Sequence, residues 1–113
     1  MQLKAKKYLE DIRLAAEAIT GFVKGKTPDD YSGDLLLRSG VERQFGILGE
    51  AINSLLKIDP ATATGIREYR RIIAFRNIII HSYDALDDKV VWDVIQNHLP
   101  ALLRQVEMRL QSP

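Results

Sequence analysis

A chain of 113 residues is long enough for one compact domain, which we expect over residues 1–113, and too short for two. The composition is 46% apolar and 27% charged with a formal charge of +1, which excludes disordered and fibrous classes and any whole-molecule field that draws the protein onto nucleic acid. The absence of cysteine excludes disulfides and thiol nucleophiles, and so small a core favours sharing apolar surface with a second copy.

The first predicted element is an amphipathic helix near the N-terminus. Its apolar residues recur at steps of three and four, with charged residues on the other side: Tyr8, Leu9, Ile12, Ala15, Ala16, Ile19, Phe22 and Val23. The charges interrupt any apolar stretch of the length that a signal peptide needs, and no later segment approaches the roughly 18 apolar residues of a membrane span. We therefore expect a cytoplasmic protein with no membrane partner.

A second, longer helix is predicted after a short connection. Thr27 and Pro28 are typical of a helix N-terminus, so we expect a loop or a short helical turn there. Gly46 and Gly49 lie inside the long helix and each weakens an isolated helix by about 1 kcal/mol, so we expect another backbone to pack closely against them. The helix ends near Pro60, and its apolar stripe is Leu37, Val41, Phe45, Leu48, Ile52 and Leu55 or Leu56.

The rest of the sequence predicts two more helices. Residues 61–65 resemble a connector, and 66–83 are β-branched enough for a buried strand but have no second strand to pair with, so we predict a helix. Pro100 should kink or restart the last helix. Asp87 or Asp88 can cap that helix, whose stripe is Val91, Ile95, Leu99, Leu102 or Leu103, Val106 and Leu110. The sequence thus predicts an all-α antiparallel four-helix bundle, with room for an additional short helix.

Polar residues stand inside the most apolar segment of the chain. Arg76, Asn77 and His81 lie among or beside Ile and Phe residues, and a buried Arg is rare unless it is paired. One interpretation makes Arg76 a structural anchor for a buried carboxylate such as Glu50, with His81 a satisfied core histidine. The other makes these residues a site for chemistry.

The order of residues in this segment favours the second interpretation. Arg76-Asn77-Ile78-Ile79-Ile80-His81-Ser82-Tyr83 resembles the RX4HXY signature of HepT-like toxins in the HEPN superfamily. Segments 40–44, 47–51, 91–95 and 99–100 are similar to that family's second and last helices. The resemblance covers essentially the whole chain, from Tyr8 to Val106. Two positions depart from the pattern: Phe75 stands where Met is common, and Ser82 where Gly is common.

The resemblance implies both a fold and an activity. The fold is a HEPN-like helical domain that forms a homodimer, and the motifs of the two chains together make one cleft. Assemblies larger than the dimer are compatible with the resemblance. The activity is that of a toxin from a toxin–antitoxin pair: a metal-independent endoribonuclease without a cofactor. The implied partners are an RNA substrate and a cognate nucleotidyltransferase antitoxin, which attaches AMP to Tyr83. The alternative is a noncatalytic HEPN module that binds a nucleotide or RNA and partners a nucleotidyltransferase.

Arg76 and His81 are the candidate catalytic residues. Cleaving RNA without metal requires removal of the 2′-hydroxyl proton, protonation of the leaving 5′-oxygen and a cation for the pentacoordinate phosphate, and it leaves a 2′,3′-cyclic phosphate. A histidine suits either proton role, and an arginine holds phosphate oxygens bidentately. Asn77, Glu50 and Ser82 are supporting candidates, Ser82 as a passive or phosphate-contacting hydroxyl.

Helix geometry opposes a site made by one chain. Five positions at about 100° each separate Arg76 and His81 by roughly 140°. Either the helix distorts near Ile80, or the cleft joins the two residues from different chains of a twofold dimer, which also supplies a second histidine. Tyr83, seven positions from Arg76, returns to the face of Arg76.

The remaining conspicuous residues have simpler interpretations. His98 is predicted to be a polar residue on a helix surface, and it has no ligand spacing with His81 that would indicate a metal site. Trp92 is predicted in the core or at a dimer interface, while Tyr69 could stack a base or pack inward. Three arginines on one predicted helix face are candidate RNA contacts, although a solvated charged face is as consistent: Arg67, Arg70 and Arg71.

Overall fold

Seven helices follow one another in the computed structural model, which describes residues 2–81 and 86–111. They are α1 (Leu3–Val23), α2 (Pro28–Ser32), α3 (Leu35–Ile58), α4 (Pro60–Thr64), α5 (Tyr69–His81), α6 (Asp88–Asn97) and α7 (Leu99–Gln111). Because the described part of the chain holds no strand, the all-α prediction is confirmed, including the helix assigned to the β-branched segment. None of the helices in these two ranges is both long and apolar enough to cross a membrane.

The long antiparallel helices α1 and α3 form the centre of the bundle. α7 packs on α1 and α5 on α3, while α6 lies against α2 and α7. The predicted stripes face inward except at Phe22, which is 42% exposed. The largest side chains that are almost completely buried are Tyr31, Phe45, Leu9, Ile12, Ile19, Leu48, Ile52, Leu55, Ile66, Ile72, Leu99 and Leu102. Trp92 is half-buried with its ring centroid 5.9 Å from that of Tyr31, so it packs onto this core.

The helix α5 buries fewer of its side chains than its apolar composition predicts. Only Ile72 and Phe75 of α5 are buried, and Phe75 packs edge-on against Phe45 of α3 with ring centroids 4.9 Å apart. Ile78 and Ile80 are 42% and 45% exposed. This isoleucine-rich helix therefore keeps part of its apolar surface outside the core.

The two glycines of α3 have different surroundings. A Cβ on Gly49 would lie 2.6 Å from both Cβ and Cγ of Arg76, so the absence of a side chain lets α5 approach α3 here. A Cβ on Gly46 would meet no atom within 4 Å. The predicted close approach is thus observed at Gly49, where the root of a side chain makes it, and is wrong at Gly46.

Several element boundaries differ from the predicted ones. Of the two expectations for the segment after Thr27, the short helical turn is the one observed, as the helix α2 with a complete capping box between Thr27 and Asp30. The predicted connector 61–65 contains the helix α4, capped by the Asp59 side chain, because Asp59 ends one helix and begins the next. The last predicted helix divides at His98, two residues before Pro100.

Candidate active site

The crossing of α3 and α5 brings Arg76 to Glu50. Nη2 of Arg76 donates to Oε2 of Glu50 over 2.7 Å, and Nη1 lies 3.4 Å from Oδ1 of Asn77. The Arg76 side chain is 20% exposed and that of Glu50 is 59% exposed. Nε of Arg76 is buried and has no hydrogen-bond partner among the described residues. The guanidinium is therefore fixed at one end by Glu50 and keeps donor capacity for another acceptor.

A groove of about 580 Å³ opens beside this ion pair, between α1, α3 and α5. Its walls are largely apolar, with two arginines and three acids among them. The lining residues are Tyr8, Asp11, Glu42, Arg43, Gly46, Ile47, Glu50, Ala51, Ser54, Arg76, Ile79 and Ile80. The guanidiniums of Arg43 and Arg76 share the groove with the carboxylates of Asp11, Glu42 and Glu50, so an anion that binds there must do so at a guanidinium.

His81 lies outside this groove. It is exposed and is the last described residue of α5, so the interpretation as a core histidine is wrong. The helix is unbroken from Tyr69 to His81, and no distortion near Ile80 turns His81 toward Arg76. The separation of roughly 140° around the helix axis therefore holds within one chain. Ser82 and Tyr83, the remaining predicted residues of the motif, lie outside the described residues.

Glu42 is a half-buried carboxyl that lines the groove without a role in the predicted site. Burial raises its pKa, the Asp88 carboxylate raises it further, and the Arg38 guanidinium opposes both. The fully buried phenol of Tyr31 lies close to the same charges, and its hydroxyl has no hydrogen-bond partner among the described residues. Burial and the nearby Glu42 and Asp88 raise the pKa of Tyr31, so this hydroxyl stays neutral.

The three candidate RNA-contacting arginines do not share a helix face, contrary to the prediction. Arg67 lies in the turn before α5 and is exposed, while Arg70 and Arg71 belong to the first turn of the helix. Nε of Arg70 donates to the Tyr69 hydroxyl over 2.8 Å, and its guanidinium lies 5.6 Å from the ring centroid. Because the Tyr69 ring is half-buried against the core, the inward-packing alternative applies to it.

His98 has a structural role that the sequence did not reveal. Its Nδ1 lies 2.7 Å from Oε2 of Glu68, and its Nε2 lies 3.4 Å from Oδ2 of Asp93. The same Glu68 oxygen accepts a 3.0 Å hydrogen bond from Nε of Arg71. Glu68 also has a φ of 76°, in the left-handed region that residues other than glycine seldom occupy. No periodicity or motif signals such a contact between distant segments.

Comparison with known proteins connects this arrangement to one family. The profile of the family described as ribonuclease HepT-like matches residues 12–109. A candidate RNase of Caldanaerobacter subterraneus is 30% identical over 93% of this chain and 93% of its own length. A candidate ribonuclease HepT of Thermococcus cleftensis is 29% identical over 95% and 96%. A longer Methanocaldococcus jannaschii protein, named a gamma-glutamylcyclotransferase and candidate RNase, is 28% identical over 94% of this chain and 47% of its own length. No solved structure gave a match.

Proposed function

The chain belongs to the HepT-like ribonuclease family, and we propose that it is a metal-independent endoribonuclease, the toxin of a toxin–antitoxin pair. The observation that carries the proposal is the placement of two groups on α5: the Arg76 guanidinium in an apolar groove and His81 exposed at the end of the same helix. These are the cation and the proton-transfer group that metal-independent RNA cleavage requires.

The proposed reaction is an internal transesterification. One histidine removes the proton from a 2′-hydroxyl, whose oxygen attacks the adjacent phosphorus. The bond from phosphorus to the 5′-oxygen breaks, and a second protonated histidine delivers a proton to that oxygen, leaving a 2′,3′-cyclic phosphate. Arg76 stabilises the charge that accumulates on the phosphate oxygens. Asn77 orients Arg76, and Ser82 is assigned a passive or phosphate-contacting hydroxyl.

The ion pair with Glu50 is compatible with this role of Arg76. The Glu50 carboxylate is mostly solvated, so the pair contributes about 1 kcal/mol or less. It occupies one Nη2 donor of Arg76 and leaves other N–H groups for a phosphate. In the transition state the phosphate carries two negative charges, so it competes well with one exposed carboxylate for these donors. Glu50 thus supports Arg76 in the free enzyme without blocking it.

We assign the complete cleft to a twofold dimer. One chain presents Arg76 and His81 about 140° apart on a continuous helix, so it does not direct both at one phosphate. Ile78 and Ile80 leave apolar surface on α5, and the groove beside them is also largely apolar, which favours a second copy as the occupant. A twofold axis brings His81 of one chain toward Arg76 of the other and supplies the second histidine. Larger assemblies built from this dimer are compatible with the proposal.

Tyr83 is the proposed site of control by a cognate nucleotidyltransferase. Attack of its phenolic oxygen on the α-phosphorus of ATP forms a phosphodiester to AMP and releases pyrophosphate. Each AMP adds bulk and negative charge two residues after His81, where it competes with RNA for the cationic site. Incubation with the transferase, ATP and Mg²⁺ is expected to add AMP to the wild type and not to Tyr83→Phe, as read by intact mass and peptide mapping.

RNA cleavage in the presence of EDTA tests the ribonuclease assignment. The wild type is expected to cleave and to leave 2′,3′-cyclic phosphate ends, whereas His81→Ala and Arg76→Ala lose cleavage and keep the wild-type circular dichroism. Arg104→Ala is the matched control for Arg76→Ala, since Arg104 is exposed on α7 and does not line the groove. Cleavage by folded His81→Ala at the wild-type rate contradicts the assignment. Binding of RNA without cleavage by the wild type favours the noncatalytic module instead.

A further inference from the structure

A second concave surface lies at the other end of α5 from His81. It has a volume of about 410 Å³ and is formed by the consecutive residues 64–71, the turn before α5 and its first helical turn. The Arg109 guanidinium of α7 lies against the backbone of Gly65 at its edge. One short segment, residues 64–71, therefore forms the surface, and arginines of this segment and of α7 lie around it.

The positive charge of this surface is only partly neutralised. Glu68 is the one acid among its lining residues, and its carboxylate already contacts Arg71 and His98. The hydrogen-bond partner of Arg70 is the neutral phenol of Tyr69, which fixes the guanidinium without cancelling its charge. Arg67 is exposed and has no acidic partner among the described residues. Two arginines thus keep their full charge at this surface.

The positive charges of Arg70 and Arg71 lie at the N-terminus of α5, which is the less favourable end of a helix for a cation. The N-terminus of a helix carries a partial positive charge, so natural helices favour Asp or Glu in the first turn. The first turn of α5 has no acid and contains Arg70 and Arg71 instead. The backbone before it is also strained, because Glu68 is held at a φ of 76° by its contacts with Arg71 and His98. The placement of the arginines and the strained backbone both cost stability, and backbone strain of this kind clusters at functional sites.

An exposed face of α5 connects this surface to His81. Ala74, Asn77 and His81 follow Arg70 at intervals of four, seven and eleven residues, so they lie within about 40° of it around the helix axis. All four residues are exposed. Eleven residues at about 1.5 Å each place Arg70 roughly 16 Å along the axis from His81. At a rise of about 3.4 Å per stacked nucleotide, this distance corresponds to about five nucleotides.

We propose that Arg67 and Arg70 form a second binding site for the phosphate backbone of the RNA substrate, about five nucleotides from the phosphate that is cleaved. The exposed face of α5 guides the strand between the two sites. Arg71 is excluded from this role because Glu68 engages it, and it acts with Glu68 to hold the turn. The inference rests on the proposed ribonuclease function and adds a length requirement for the substrate.

Binding of RNA that cannot be cleaved tests this site separately from catalysis. We would measure fluorescence anisotropy of 2′-O-methyl oligonucleotides of three and ten residues, which lack the attacking hydroxyl, at several salt concentrations. The wild type should bind the ten-residue RNA more tightly than the three-residue RNA, and Arg67→Ala/Arg70→Ala should lose most of that gain. The slope of log K against log salt should fall in magnitude by about 1.4, or about 0.7 for each lost phosphate contact.

Arg104→Ala is the matched control, because Arg104 is exposed on α7 and lines neither concave surface. It should bind both RNAs as the wild type does. Unchanged binding of the ten-residue RNA by the double variant, an equal loss in Arg104→Ala, or displacement of that RNA by AMP at an equal phosphate concentration would overturn the second site. If the wild type cleaves no RNA but the double variant loses the length-dependent gain, the second site stands and the ribonuclease assignment fails.

Discussion

Arg76 owes its position to the residue that faces it across the helix crossing. Its Cβ lies where a side chain on Gly49 would begin, and its guanidinium extends from there to Glu50 at the edge of the groove. Glycine is required at this position because a Cβ would lie too close to the Arg76 side chain. The backbone conformation does not require it, since α3 is a regular helix there. The location of the candidate catalytic cation is therefore set by packing as well as by charge.

Gly49→Ala is expected to destabilise the protein by about 1–3 kcal/mol, because the new Cβ would meet the root of the Arg76 side chain and force α5 away from α3. Chemical denaturation measures this change. Gly21→Ala is the matched control: a Cβ there meets no atom within 4 Å, and helix propensity alone predicts a gain of up to about 1 kcal/mol. An equal response of the two variants would contradict the packing argument.

Glu42 should make stability depend on pH. Its pKa in the folded protein is raised above the ordinary 4.5 by burial, so the fold favours the neutral carboxyl. The contribution is complete below pH 4.5 and declines as pH rises through the folded pKa, because the unfolded chain ionises more easily. Glu42→Gln should therefore be more stable than the wild type at pH 7 and lose this advantage toward pH 4. Chemical denaturation of the wild type and Glu42→Gln at pH 7 and pH 4 measures this difference in stability. A stability advantage of Glu42→Gln that grows on acidification would contradict the prediction.

At the scale of elements, the turn between α4 and α5 depends on one residue in an unusual conformation. Glu68 connects the first turn of α5, through Arg71, to the junction of α6 and α7, through His98. Its backbone is in the left-handed region, where a residue with a Cβ is strained. The ion pairs and the backbone strain act in opposite directions at this one position.

Substitutions at Glu68 should separate these two effects. Glu68→Ala loses both ion pairs and keeps the strain, whereas Glu68→Gly loses the pairs and relieves the strain. We expect Glu68→Gly to be more stable than Glu68→Ala by about 1 kcal/mol. Thermal unfolding of the two variants measures the difference. Equal stability would show that the left-handed backbone carries no cost here.

Periodicity predicted the elements that are long enough to show it. The stripes of α1, α3 and α7 have several turns each, so the sequence located them and the Asp59–Pro60 stop of α3 correctly. The five-residue helix α4 has too few turns for a stripe, and its cap Asp59 was interpreted only as an end. α5 begins three residues after the predicted Ile66, because the left-handed Glu68 interrupts the segment and nothing local indicates that conformation.

The candidate site was predictable in composition and less so in arrangement. The rule that a buried arginine needs an acid predicts the Arg76–Glu50 pair, and the structure contains it, although Glu50 is exposed and not buried. The contact between Glu68 and His98 joins segments that are thirty positions apart, and a single sequence carries no signal for such a pair. Helix geometry anticipated that Arg76 and His81 diverge, and the continuous α5 retains that divergence.

At the scale of the whole molecule, the described chain leaves part of the apolar surface of α5 uncovered. α5 packs mainly on α3, and its other sides carry exposed isoleucines and one wall of the largely apolar groove. Its His81 points away from Arg76 of the same chain. Covering these surfaces with a second copy would complete the core and the proposed cleft together. Assembly and activity should then be lost together, and the choice between a cleft within one chain and a cleft across two chains becomes an experiment.

Hybrid dimers distinguish the two clefts. A hybrid of Arg76→Ala with His81→Ala keeps one intact Arg76 and one intact His81 on different chains, and a hybrid of wild type with the double variant keeps both on the same chain. Both hybrids keep a single His81 and lack the second histidine, so both should cleave RNA more slowly than the wild type. If the cleft joins residues across the twofold axis, the first hybrid should still cleave faster than the second, although their composition at the two positions is identical. Purification with two different tags and confirmation of the dimer mass in solution define each species. Activity only in the second hybrid, equal activity in both, or a monomeric wild type at micromolar concentration would contradict a cross-chain cleft.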